Sequence, residues 1–131
     1  MQYLFRIVRF YPLSVLCFLV IWYLSFFTPP KTPLDEVRFI DKWVHVTMYG
    51  GTCTILWIEY LRKHKRIEDK GRLMLWAWLA PIMMSGLIEL LQEYCTGGRR
   101  SGDWLDLAAN ATGVTLAAVI GWLLARRRAK A

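Results

Sequence analysis

The residues of this chain that could do chemistry fall in three short stretches: "DKWVH" at 41–45, "IELLQE" at 88–93 and "GRRSGDWLDLAAN" at 98–110. His45 with Asp41 or Glu89 supplies the parts for general acid–base work, Asp106 adding a further carboxylate. Lys42, Arg99 and Arg100 suit phosphate, the arginines as planar forks and the lysine as a point charge. Gln92, Asp103 and Asn110 add hydrogen-bonding groups that could hold a polar ligand. Asp41, His45, Glu89 and Asp106 also present the oxygen and imidazole donors that a divalent metal accepts. The chain has no HExxH, no GxSxG and no Arg-rich plus Ser-Gly-His pattern of membrane phosphatases, so no single catalytic motif dictates the chemistry.

Elements must carry these groups, and composition says which. The 131 residues suffice for one domain, 1–131. They are 56% hydrophobic with seven Trp and a net charge of +7. The apolar residues come in four blocks, 10–27, 43–61, 73–95 and 105–125, each close to the ~20 residues that cross a bilayer as a helix. A soluble bundle would show a polar face in every turn. The run "LSVLCFLVIWYLSFF" offers only two serines and a tyrosine. The expected fold is therefore all-α: a polytopic membrane protein of four transmembrane helices. The first block follows Arg6 and Arg9, as in a signal peptide, but "FFTPPKTP" lacks a small-x-small cleavage pattern, so it is expected to be an uncleaved span.

Charge sets the expected topology. The start of the chain, the loop "RKHKRIEDKGR" and the tail "RRRAKA" together hold twelve Lys and Arg, and the other two connectors hold five. Basic residues favour the cytoplasmic side, which places both termini inside. This accounts for most of the net charge without nucleic acid. Trp43, Tyr94 and Trp104 then mark the outer interface, and Trp57, Tyr60, Trp76 and Trp122 the inner one. The proline-rich connector is expected to lead into a short interfacial helix near residues 34–40.

With that topology, three helix ends bring polar groups to the outer side. At about 100° per residue, Asp103, Asp106, Ala109, Asn110, Gly113, Ala117 and Gly121 share one face of the last span. Ala109, Gly113, Ala117 and Gly121 repeat every four residues, the small-residue pattern that lets helices approach closely. Asp41 and His45 share a face with Tyr49 and Thr52, and Ser85, Glu89, Gln92 and Glu93 share another. Glu89 lies roughly 12 Å of helix inside the turn, where an unpaired carboxylate is costly. Lesser roles are expected elsewhere: a kink at Pro81, an N-cap at Asp103, a solvated Glu93, and Glu59 paired with Arg62 or Lys63. Cys17, Cys53 and Cys95 show no CxxC spacing and serve as apolar filler.

Across about residues 37–125 the three stretches, in this order and spacing, resemble the VanZ-like membrane protein family. Its pattern is Asp-Lys-x-x-His, then Glu-x-x-Gln, then Arg, spaced Asp residues and Asn-x-x-Gly. Asp41, Lys42, His45, Glu89, Gln92, Arg99 or Arg100, Asp103, Asp106, Asn110 and Gly113 match it. Glycines in "CTGGRR" stand where the family turn often carries proline. The resemblance implies a bacterial cytoplasmic membrane protein, and the family's namesake is associated with reduced susceptibility to the glycopeptide teicoplanin. Three functions follow as expectations: a site for an anionic lipid or lipid-linked envelope precursor, a membrane enzyme using His45 and carboxylates with or without a divalent metal, or a helical scaffold.

Overall fold

The computed structural model describes residues 1–27, 33, 40–98 and 102–130, and within them all regular structure is helical. The helices are α1 (Gln2–Phe10), α2 (Pro12–Phe26), α3 (Ile40–Lys63), α4 (Lys70–Met74), α5 (Ala80–Cys95) and α6 (Trp104–Lys130). A π-helical turn over Leu75–Leu79 joins α4 to α5. Arg99, Arg100 and most of the expected interfacial segment at 34–40 lie outside the described residues.

Two continuous helices, Lys70–Cys95 and Trp104–Lys130, are long and apolar enough to cross a membrane. The pair α1 and α2 meets the same criterion only when taken together, and it bends by 101°. The first expected span, 10–27, thus corresponds to α2 with a corner at its start. Pro12 opens α2 and disfavours helical geometry in the residue before it, and Tyr11 accordingly takes φ −130° and ψ 53°. α3 has the length of a span but is not among the helices apolar enough to cross a membrane, His45, Thr52 and Glu59 interrupting its apolar run. Just before Pro81, where a kink is expected, the helix widens into a π turn. Proline cannot donate to the carbonyl four residues back, and its ring crowds that carbonyl; a wider turn relieves both.

Cross-helix contacts fix the directions. Ser14 meets Glu59 and the far end of α2 meets Gln92, so α2 runs antiparallel to α3 and parallel to α5. Lys42 meets Asp106 and Arg128 meets Leu61, so α3 and α6 run parallel. α3 and α6 share the most extensive contact in the molecule.

That seam needs residues without side chains. A Cβ on Gly113 would strike the Val46 carbonyl and come within 2.9 Å of the Gly50 nitrogen, and one on Gly121 would run into the Trp57 ring. Ala109, Asn110, Gly113, Ala117 and Gly121 are buried, as the helical phase predicts. Trp57 is fully buried rather than interfacial, because Gly121 opens a slot that accepts its indole. Trp43, Trp76, Tyr94 and Trp104 are exposed, as interfacial side chains would be. Around the seam, Ile21, Tyr49, Cys53, Ile88, Val114 and Ala117 form one apolar cluster, and Trp57, Leu73, Ala77 and Ala118 form a second.

Candidate functional site

The N-terminal ends of α3 and α6 and the C-terminal end of α5 converge on a polar cluster. It exists because α3 and α6 are parallel and α5 runs against both. Asp103 caps α6, its Oδ1 accepting the Leu105 N–H at 2.8 Å. Its Oδ2 accepts from Lys42 Nζ, also at 2.8 Å. Lys42 further donates to Asp41 Oδ2 at 2.8 Å and to Asp106 Oδ1 at 2.5 Å. An ammonium has three donors, and here all three go to carboxylates. Burial opposes the charge on Lys42, but the bonds to Asp103, Asp106 and Asp41 outweigh it and raise its pKa. Bonding to Lys42 holds the Asp103 and Asp41 carboxyls below the usual range, against some desolvation.

One turn deeper lies His45. Its Nδ1 is 2.9 Å from Asn110 Oδ1, and Asn110 Nδ2 donates to Ser85 Oγ at 2.7 Å. Because the Asn110 amide spends its N–H on Ser85, its oxygen faces the histidine, and Nδ1 must carry the hydrogen. In the neutral ring Nε2 then keeps its lone pair. It faces Asp106 Oδ2 at 3.7 Å, too far for a direct hydrogen bond. The His45–Asn110–Ser85 chain thus ties α3, α6 and α5 together. Asn110 and Ser85 are essentially inaccessible, whereas the His45 side chain retains 19% exposure.

Glu89 and Glu93 dock the start of α6. Glu89 Oε2 accepts the Asp103 N–H at 2.9 Å, and Glu93 Oε2 accepts the Gly102 N–H at 2.7 Å. Gly102 packs so tightly that a Cβ there would lie 2.6 Å from the Glu89 carbonyl oxygen. Glu89 is 4% exposed, and its carboxylate lies within electrostatic reach of His45, Asp103 and Asp106.

Of the residues expected at the site, Asp41, Lys42, His45, Glu89, Asp103, Asp106 and Asn110 are brought together. Gln92 turns away: its Nε2 donates to the Ser25 carbonyl at 2.6 Å, tying α5 to α2. Ser85 was legible only as a neighbour of Glu89 on one helical face, yet it orients Asn110 and through it His45. Glu59 does not pair with Arg62 or Lys63. It is buried and accepts both the backbone N–H and the hydroxyl of Ser14 at 2.7 Å. Its position seven residues after buried Thr52 puts it on the inward face of α3, while Arg62 and Lys63 are exposed. Among the described residues, no three His, Cys, Asp or Glu side chains are arranged to hold a metal ion. No protein-family model, curated protein or solved structure matches this chain significantly.

Proposed function

We propose that the chain is a four-span protein of a bacterial cytoplasmic membrane, with the polar cluster at the outer interface and both termini inside. The spans are α2, α3, the continuous Lys70–Cys95 helix and α6. Their alternating directions support this reading, because short connectors and four crossings require alternation. So does the concentration of Lys and Arg at the end opposite the cluster.

In this reading the cluster recognises the headgroup of an anionic lipid or a lipid-linked cell-envelope precursor. Carboxylates and Asn110 would take hydroxyl or amino donors of the headgroup. Because Lys42 is engaged by three aspartates, the phosphate falls to Arg99 and Arg100, which precede Asp103 in the sequence. The VanZ-like resemblance, and with it a link to glycopeptide susceptibility, belongs to the same proposal and rests on the three motifs alone.

The observation that carries it is the His45–Asn110–Ser85 chain. It fixes the imidazole with a partly exposed Nε2 facing a carboxylate it does not bond. A scaffold has no use for an imidazole nitrogen held away from its neighbour, whereas a ligand hydroxyl beside the pair would take both Nε2 and Asp106 as partners. That same geometry favours a second reading, in which Nε2 acts as a general base on the bound headgroup and Asp106 stabilises the resulting imidazolium.

The test is native mass spectrometry of the protein released from its own membrane, with thermal unfolding in parallel. The wild type should carry a lipid-linked adduct. His45→Gln, which can still donate to Asn110, should lose the adduct and keep its Tm. A scaffold would lose Tm and show no adduct in either form.

A further inference from the structure

At the opposite end of the molecule, no residue of α1 is buried. All residues from Met1 to Arg9 are exposed, among them Tyr3, Leu4, Phe5, Ile7 and Val8. Such a row of large apolar side chains on a nine-residue helix has no reason to face water. At about 100° per residue, Gln2, Arg6 and Arg9 fall together on one narrow face, and the apolar residues occupy the rest of the circumference. The apolar arc is broad and the polar strip is basic.

The helix is also turned sideways. The 101° bend at Tyr11 sets α1 nearly perpendicular to α2. Glu59 holds that geometry from α3 by accepting the Ser14 N–H in the first turn of α2. Phe10, at the corner, lies under Lys63 Nζ at 4.8 Å and under the Arg6 guanidinium at 5.8 Å. Near the same end, Ile58, Leu61 and Leu124 line a shallow groove of about 470 Å³ rimmed by Arg62, Arg127 and Arg128. α2 alone rises only about 22 Å, less than the ~30 Å hydrocarbon core. Its N-terminal end therefore sits low, and α1 is drawn down to the membrane surface.

We propose that α1 is an in-plane anchor that lies in the cytoplasmic headgroup layer, its apolar arc among acyl chains and Arg6 and Arg9 on anionic phospholipid. The inference rests on the four-span reading. The partner is the lipid surface itself: a basic strip on a broad apolar helix matches an anionic leaflet, and the bend delivers the helix parallel to it.

The experiment uses the full chain, with exposed Cys95 and half-buried Cys17 replaced by serine, in vesicles of phosphatidylcholine with and without phosphatidylglycerol. Single spin labels at Gln2, Leu4, Val8 and Leu116 report oxygen and aqueous-reagent accessibility. Leu4 and Val8 should lie about 5–10 Å below the headgroup boundary, with Gln2 at the water side and Leu116 deep in the hydrocarbon. Phosphatidylglycerol should pull Leu4 and Val8 deeper, and the double variant Arg6→Gln/Arg9→Gln should abolish that shift. Leu4 and Val8 in water with Leu116 in lipid overturns the anchor alone. Depth that increases steadily from Gln2 to Val8 means that α1 crosses the bilayer, which also overturns it. Depths indifferent to phosphatidylglycerol overturn the anionic partner, and Leu116 in water overturns the four-span reading together with the anchor.

Discussion

Glu89 and Glu59 are both buried carboxylates that accept a backbone N–H at the start of another helix, and they sit at opposite ends of the molecule. Glu89 receives Asp103 at the head of α6, and Glu59 receives Ser14 at the head of α2. Each offsets the unsatisfied donors and positive dipole of a helix N-terminus, which water would otherwise serve. Their surroundings differ. Around Glu89 stand His45, Asp103 and Asp106, with a hydrogen-bonded chain that fixes the imidazole. Around Glu59 the bonds go to a single serine, and the nearby cations are exposed. The same local device supports the proposed site at one end and works as a clasp at the other. A buried carboxylate by itself therefore says little about function, and the titratable groups within its reach say more.

The largest expected effect removes the support common to both ends. Gly113→Leu drives a side chain into the Val46 carbonyl and the Gly50 backbone, so α3 and α6 must separate. The expected loss is about 3 kcal/mol, read as a lowered midpoint in denaturant unfolding in detergent. Both helix heads should lose amide-exchange protection together. Next come the acceptors. Glu59→Ala and Glu89→Ala each strand an N–H that the other helix had satisfied, at about 1–3 kcal/mol. Exchange at Ser14 should rise in the first variant and at Asp103 in the second, each without the other. Lys42→Met belongs to the polar end alone. It leaves three aspartates without their shared cation and should cost about 1–2 kcal/mol, with the α2 clasp untouched.

The smallest effect is acid. Asp103 and Asp41 have pKa values lowered below the ordinary Asp value of 3.8 by bonding to Lys42. A group depressed in the folded state contributes stability that is present above its unfolded value and lost as pH falls through the folded one. Protection of amides at the starts of α3 and α6 should therefore hold down to about pH 4 and decline below it. High salt should reduce this dependence, since Asp41 and Asp103 are well exposed.

Much of the polar end was legible in the sequence, because helical phase alone places Asp106, Asn110 and Gly113 on one stripe and His45 with Tyr49 on another. The four-residue repeat of small residues announced the α3–α6 seam in the same way. Sequence reasoning went astray where the outcome depended on which helix faced which. Gln92 shares a face with Glu89, yet α2 approaches from its side and takes its amide. Glu59 stands one turn from Arg62 and Lys63 on α3, yet Ser14 at the head of α2 takes its carboxylate, so the partner comes from another helix and not from the next turn. Hydropathy could not reveal the corner at Tyr11, since the apolar run continues through it. The Tyr-Pro step carries that information only ambiguously, because proline is tolerated at a helix start as readily as it breaks one. Residue type places Trp57 at the interface, whereas Gly121, 64 positions later, makes its pocket.

The contrast between the two glutamates is tested most directly by swapping each for its neutral isostere. Glu89→Gln and Glu59→Gln both keep an acceptor for the bound N–H, so both should keep a Tm close to the wild type. Native mass spectrometry of the two variants, released from the same membrane, should show the lipid-linked adduct lost from Glu89→Gln and retained by Glu59→Gln. Equal retention in both, or equal loss accompanied by a fall in Tm, would contradict the assignment of one end as a site and the other as a clasp.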